Sequence, residues 1–228
     1  MRAVIALSLA VLAISAQAAE PQERLSLSAS ASAEVTRDVL SIAFSTSRDG
    51  NDAASVQAGL KQALDTALAE ARKVAKPGQV DVQTGAFSLS PRYDSKTNKI
   101  NGWQGTAELL VEGRDATAIA QLAGRINTLT IARVGYSLSR EARERAESEI
   151  SAQAIARYRA KAADYAKQFG YAGYVVGEVN LSGDEPSQRP MLQAMRVGGG
   201  LGAAESLPTE AGKATVSVNV SGSVLLKN

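Results

Sequence analysis

The sequence contains neither cysteine nor histidine. This absence excludes disulfides, Ser-His-Asp and Cys-His catalytic groups, and the usual zinc sites of proteins. Any catalysis would have to rest on carboxylates, lysine, tyrosine or a hydroxyl group. We therefore expect a protein that is not an enzyme and that needs no metal and no cofactor.

The net charge is also small, because 25 Lys and Arg residues are nearly balanced by 23 Asp and Glu residues, for a formal net charge of +2. Nucleic-acid binding is driven by the neutralisation of phosphates with basic residues. We therefore expect no nucleic-acid partner.

Long apolar runs are missing as well, because no segment approaches the about 18 residues that a membrane-spanning helix requires. The first residues, "MRAVIALSLAVLAISAQAAE", combine a basic Arg2, an apolar run from Ala3 to Ile14 and a small-x-small site at residues 16–18. This order predicts a signal peptide over residues 1–18. Without a disulfide framework, such a signal favours a bacterial periplasm over eukaryotic secretion.

Alternation of apolar and polar residues predicts about seven strands. Two of them, "RLSLSASASAEV" and "VLSIAFSTS", are close enough along the chain to suggest an antiparallel pair, and a parity switch across Gly85 suggests a β-bulge in a later strand. Helical spacing predicts three helices, with Asn51 or Asp52, Asp115 and Ser139 as N-caps, and Pro77-Gly78 ends the first helix. The order ββαββαβαββ predicts an α+β fold with a mainly antiparallel sheet and helices on one face. We expect a single domain over residues 19–228.

The segment "SEISAQAIARYRAKAADYAKQFG" (148–170) is the longest predicted helix. Its basic residues raise three alternatives: a core helix, a partner helix in an oligomer, or a helix that contacts nucleic acid or lipid. The predicted apolar stripe, which the basic residues mostly avoid, favours a core helix. Its members are Ile150, Ile155, Tyr158, Ala162, Tyr165 and Phe169.

Two regions carry the candidate binding or oligomer contacts. In a polar predicted hairpin tip, Tyr93 and Trp103 suggest a stabilising cross-strand pair, with Arg92 beside them, and a binding or subunit contact is the alternative. The second region, residues 183–212, lacks any periodicity and contains Met191 and Met195. An unpatterned connection of this length is unusual inside a compact domain, and such segments are mobile or functional.

Two further patterns have a simple structural interpretation. Acidic residues on alternating strands usually lie on the solvent-facing side, so we do not assign catalysis to them; they are Glu34, Asp38, Glu108 and Glu112. The "GGGLG" segment at 198–202 lacks the context of a phosphate-binding loop and is interpreted as a flexible loop.

Three segments in their order along the chain resemble the SIMPL-domain family of bacterial envelope proteins. They are "FSLSPRYDSKTNKINGWQGTAELLVEGRDATAIAQLAGRI", "ISAQAIARYRAKAADYAKQFG" and "GKATVSVNVSGSVLL". The sequence departs from the family at Trp103, where members often have tyrosine, and at Arg37-Asp38, where they often have Pro-Asp.

The resemblance implies a periplasmic or outer-membrane-associated protein whose molecular role is poorly defined. Some relatives are linked to oxidative-stress defence and some assemble into ring-like oligomers, so we expect a homo-oligomer and an envelope component as partners. The family has no agreed catalytic motif, and no catalytic residue follows from the resemblance. The alternatives are a carboxylate-dependent envelope hydrolase and a ligand-binding module that uses the Tyr93/Trp103 hairpin.

Overall fold

The computed structural model describes residues 23–183 and 210–228. These residues contain seven strands and three helices in the predicted order, so the α+β fold class is confirmed. The strands are β1 (Arg24–Thr36), β2 (Val39–Gly50), β3 (Asp81–Tyr93), β4 (Ile100–Gly113), β5 (Thr130–Ser137), β6 (Gly173–Gly183) and β7 (Lys213–Lys227). The helices are α1 (Ala53–Arg72), α2 (Ala116–Arg125) and α3 (Arg140–Gln168). The predicted signal peptide, Met191 and Met195 lie outside the described residues.

Within these residues the strands form two antiparallel sheets, where the sequence suggested one. One sheet has the order β1-β7-β6, and the other has the order β3-β4-β2-β5. The predicted pair of the first two strands is therefore wrong, because β1 pairs with β7 while β2 pairs with β4 and β5. The short β1–β2 connection passes from one sheet to the other. Arg37 N–H donates to Gly212 O (3.0 Å), just before β7, and Asp38 N–H donates to Ser137 O (3.1 Å), at the end of β5.

The four-stranded lobe consists of β2–β5 with α1 and α2. As predicted, Asp52 caps α1 by accepting from Ser55 N–H (2.8 Å), and Asp115 caps α2 by accepting from Ala118 N–H (2.9 Å). Helix α1 ends at Arg72, before the predicted Pro77-Gly78. The bulge predicted at Gly85 is confirmed by a register shift between Thr84 and Phe87. The buried core of this lobe includes Leu40, Ile42, Phe44, Leu60, Leu109, Val111, Ile119 and Leu122.

The three-stranded lobe consists of β1, β6, β7 and α3. Helix α3 packs on the sheet, so its interpretation as a core helix is confirmed. Its buried residues are Ala146, Ile150, Ala154, Tyr158, Ala162 and Ala166. This stripe is rotated from the predicted one, since Ile155 is 43% exposed and Phe169 is 63% exposed. Alanines line the contact, and their small side chains let the helix approach the sheet closely.

A small polar network joins the two lobes at the start of α3. The Asp38 carboxylate accepts from the Ser139 backbone N–H and hydroxyl (both 2.6 Å), and Ser139 Oγ accepts from Ala142 N–H (3.1 Å) as the predicted N-cap. Arg114 contacts both Asp38 (Nε to Oδ2, 3.7 Å) and Glu141.

The two buried clusters share no residue. The single domain expected from the sequence stays a prediction, because it depends on whether the lobes unfold together.

In the part of the chain that the structure describes, no helix has the length and apolar character needed to cross a membrane.

Candidate functional site

The hairpin of β3 and β4 does not form the predicted aromatic pair. Trp103 lies opposite Pro91 and packs, partly buried, against the core of the four-stranded lobe. Tyr93 is 55% exposed and lies opposite Ile100, because the register shifts between Arg92 and Tyr93. The predicted Tyr93–Trp103 pair is therefore wrong, and Trp103 is available only in part to a partner.

Arg92 lies on the other face of this hairpin from Trp103, since side chains of neighbouring positions alternate across a sheet. Its Nη1 contacts Asp49 Oδ2 (3.4 Å), and its Nε donates to Asn101 Oδ1 (3.3 Å). Arg92 lines an open polar groove of about 490 Å³, together with Ser47, Ser88, Ser90, Gln104 and Thr106. The structure thus does not bring the three predicted hairpin residues together on one surface.

The acidic residues considered in the sequence are also dispersed. On β4, Glu108 pairs with Ser45 and Glu112 pairs with Ser41, and neither lines the polar groove beside Arg92. Glu34 forms an ion pair with Lys213 (3.0 Å). Asp38, by contrast, belongs to the junction between the lobes.

Strand edges remain as candidate contact sites, and one edge is covered by α3. Strand β1 is the outer strand of its sheet, and an outer strand presents backbone groups that lack a neighbouring strand. Arg157 Nη1 donates to Ser30 O (2.9 Å), and Lys161 Nζ donates to Ser28 O (3.0 Å). Two basic side chains of α3 therefore satisfy carbonyl groups along the β1 edge.

The two edges of the four-stranded sheet carry features that discourage pairing. Strand β3 contains Pro91, which has no N–H to donate, and the bulge near Gly85. Strand β5 has only eight residues and includes Arg133. Prolines, bulges, short length and charge are common means of protecting a sheet edge.

Strand β6 also has a bulge, between Val176 and Val179, but it carries more exposed large apolar side chains than any other edge strand of the described sheets. Val176 and Leu181 lie opposite the buried Val224 and Val220, on the face that packs against α3, yet both are exposed. Val179 is exposed as well, so the exposed fractions of the three side chains range from 44 to 50%. Within the described residues, α3 leaves this part of the sheet uncovered.

Helix α3 adds one apolar residue to this surface. Tyr174 O–H donates to Arg159 O (3.1 Å), which places this flank of α3 beside β6. Ile155 lies one turn before Arg159 on the same flank and is exposed. We call Ile155, Val176, Val179 and Leu181 the β6 patch. Sequence periodicity did not find it, because the apolar residues of "GYVVGEVNL" predict a strand but do not show whether a helix covers it.

Comparisons with curated proteins and with solved structures give no informative match. No curated protein matches the sequence. Among solved structures, "The crystal structure of AtUAH in complex with glyoxylate" is similar with a TM-score of 0.27 and 12% identity, over 59% of this chain and 35% of that chain. The match thus spans little more than a third of that chain, and a similarity this low supports no conclusion about fold or function.

The family comparison covers most of the sequence. A family model described as "SIMPL: Protein of unknown function (DUF541)" matches residues 25–224, a range that includes the three helices of the described residues, the four-stranded sheet, most of the three-stranded sheet and the β6 patch. The match agrees with the resemblance found in the three quoted segments, and the chain belongs to the SIMPL family.

Proposed function

We propose that this SIMPL protein is a non-enzymatic component of the bacterial periplasm that self-associates through the β6 edge. The observation that carries the proposal is the combination of an outer strand with an exposed apolar surface beside it, the β6 patch. The family itself is described as having unknown function, so the proposal rests on this geometry and on the sequence patterns.

The four outer strands of the two sheets differ in how readily they could pair with a second copy. An outer strand offers unpaired N–H and C=O groups that can pair with another chain. Basic side chains of α3 cover the β1 edge, Pro91 and a bulge interrupt β3, and β5 is short and includes Arg133. Strand β6 also has a bulge, but it carries the largest number of exposed valine and leucine side chains among these edges. A second copy that pairs with β6 would satisfy the backbone and remove the apolar patch from water.

The periplasmic location is supported by the predicted signal peptide and by the absence of cysteine from an exported chain of this size. The link to oxidative-stress defence and the association with the outer membrane rest on the family resemblance alone. We also propose that the protein is not an enzyme, because it lacks histidine and cysteine and because its acidic residues are dispersed. Neither the hydrolase alternative nor the Tyr93/Trp103 binding module is favoured by a specific contact.

The direct test is the native mass of residues 19–228, measured by light scattering after gel filtration over a range of concentrations. We expect a discrete assembly larger than the monomer. Leu181→Lys should shift this assembly to monomer, because a lysine in the β6 patch places an unpaired charge in the contact.

Ile100→Lys is the matched control, because Ile100 is also an exposed apolar strand residue but lies in the four-stranded lobe. We expect this variant to keep the native mass of the wild-type protein. A wild-type protein that is monomeric at every concentration contradicts self-association. An assembly that survives Leu181→Lys but not Ile100→Lys places the contact at the hairpin edge.

A further inference from the structure

The three-stranded sheet has a second face, turned away from α3, whose central rows consist of hydroxyl and amide side chains. Paired residues of neighbouring strands lie on the same face of a sheet. At one end of this face the row is Arg24–Leu225–Val175, so the face is not polar throughout. The central rows across β1, β7 and β6 are Ser26–Ser223, Ser28–Ser221–Asn180, Ser30–Asn219–Ser182 and Ser32–Ser217. We call these residues the hydroxyl face.

A bulge in β6 makes one end of the hydroxyl face concave. Val176 pairs with Val224 and Val179 pairs with Gly222, so Gly177 and Glu178 together oppose Ser223. A side chain at position 177 would not fit, because a Cβ there would lie 2.8 Å from Ser223 Oγ. The result is a groove of about 560 Å³, lined among others by Arg24, Ser26, Ser28, Glu178, Asn180 and Ser221.

Ser223 lines this groove and is 9% exposed. Its hydroxyl has no hydrogen-bond partner among residues 23–183 and 210–228. The Ser223 hydroxyl is not among the fully buried, unpartnered side-chain atoms of the described residues, so it keeps access to the solvent in the groove and can bind water or a ligand there. Ser26, Ser28, Asn180 and Ser221 likewise form no side-chain hydrogen bond within the described part of the chain, which leaves their donors and acceptors free.

The composition of the groove limits the chemistry of its ligand. Arg24 and Glu178 carry opposite charges, so the groove offers no net charge that would favour an anion or a cation. Apart from the mostly buried Leu27, its lining presents no aromatic or aliphatic side chain, so an apolar ligand gains little. Free hydroxyl, amide, guanidinium and carboxylate groups are partners for a ligand that has many hydroxyl groups of its own.

We infer that this groove binds a neutral polyhydroxylated ligand, namely a segment of a glycan chain. Beyond the groove, the hydroxyl face continues along β1 and β7 through Ser30, Ser32, Asn219 and Ser217. Neighbouring strands lie about 4.8 Å apart, and residues on one face of a strand repeat about every 6.8 Å. This regular array can form hydrogen bonds with successive sugar units. The inference is independent of self-association, because the β6 patch lies on the opposite face of the sheet.

The test is a calorimetric titration of residues 19–228 with two neutral glycans, maltohexaose and chitohexaose. An anionic oligogalacturonate and the peptide Ala-Ala-Ala serve as comparison probes. We expect saturable binding of at least one neutral glycan. Asn180→Ala and Ser223→Ala should each raise the Kd about tenfold, the typical effect of losing one well-formed hydrogen bond. Gln104→Ala, a polar change on the other sheet, should leave the Kd unchanged.

Ser223→Ala also separates a binding role from a structural one. Because the hydroxyl has no partner in the described protein, its removal should leave the melting temperature unchanged or raise it, while affinity falls. A lower melting temperature would show that the hydroxyl stabilises the fold instead. The inference is overturned if neither glycan binds saturably, or if binding is unchanged in both groove variants. Preferential binding of the oligogalacturonate or the peptide would overturn the assignment of a neutral ligand.

Discussion

At the scale of single residues, local contacts could be predicted from the sequence and distant ones could not. Asp52, Asp115 and Ser139 cap helices as predicted, because each accepts from a backbone N–H three residues further along the chain. The sequence pattern places Asp38, like Glu34, among the acidic residues of alternating strands. Its actual partner, Ser139, lies 101 residues away, and no local pattern reports such a contact.

The electrostatics of Asp38 follow from this distant partner. Burial is the largest single influence and would raise the pKa of Asp38, but the hydrogen bonds from the Ser139 hydroxyl and backbone, with Arg114, together outweigh it. The pKa of Asp38 is therefore held below its ordinary value of 3.8. A lowered pKa means that the ionised carboxylate stabilises the folded protein.

We predict that Asp38→Asn lowers the free energy of unfolding by about 1–2 kcal/mol at neutral pH, because it weakens charge-assisted hydrogen bonds at the α3 N-cap. The contribution of Asp38 should be fully present above the ordinary pKa of an unfolded aspartate. It should then be lost as the pH falls through the lower folded value, so the two proteins should become equally stable in acid. Urea unfolding from pH 7 to pH 2 measures this difference. Asp164→Asn, on the exposed side of α3, is the control, and an equal loss there would contradict a specific role for Asp38.

At the scale of helices and strands, the sequence predicted the type and position of each element better than the side chains that it buries against its neighbours. Alternation located the strands and the bulge at Gly85, because the pleat of a strand is a local property. For α3 the larger apolar residues suggested a stripe through Ile155 and Phe169, but Ala154 and Ala166 are buried instead. A helix that must approach a sheet closely buries its smallest side chains, and hydrophobicity alone does not reveal that requirement. The rotation also brings Arg157 and Lys161 to the β1 edge.

The two basic residues provide a prediction at this scale. Replacing both Arg157 and Lys161 by alanine should leave Ser28 and Ser30 carbonyls of β1 without their α3 donors. We expect a loss of about 1 kcal/mol in the free energy of unfolding, since exposed side-chain contacts contribute little. The larger effect should be additional, heterogeneous association through the uncovered β1 edge, which light scattering during slow heating would detect.

The matched control replaces Arg145 and Lys167, two exposed basic residues of the same helix, by alanine. It removes the same charge without touching β1. If this variant associates as strongly as the first, reduced charge and not the edge is responsible.

At the scale of the whole molecule, the pairing of β1 with β7 determines the architecture. These strands come from distant parts of the chain, and the continuous segment from β2 to β5 forms the other lobe between them. An alternating pattern defines the faces of a strand but not its partner, so the sequence suggested a local β1–β2 hairpin and a single sheet. The β6 patch and the groove beside Ser223 both result from this pairing, which explains why periodicity did not predict either.

The two buried clusters predict how the molecule unfolds. Ile150→Ala should create a cavity in the three-stranded lobe and cost about 2–5 kcal/mol there. Because the lobes share no buried residue and meet at the Asp38 network, we expect faster amide hydrogen exchange in β1, β7 and α3, with α1 and β4 little changed. Ile119→Ala, in the core of the four-stranded lobe, should produce the reciprocal pattern. Exchange that accelerates equally in both lobes for either variant would show instead that the junction makes them one cooperative unit, as the single domain expected from the sequence requires.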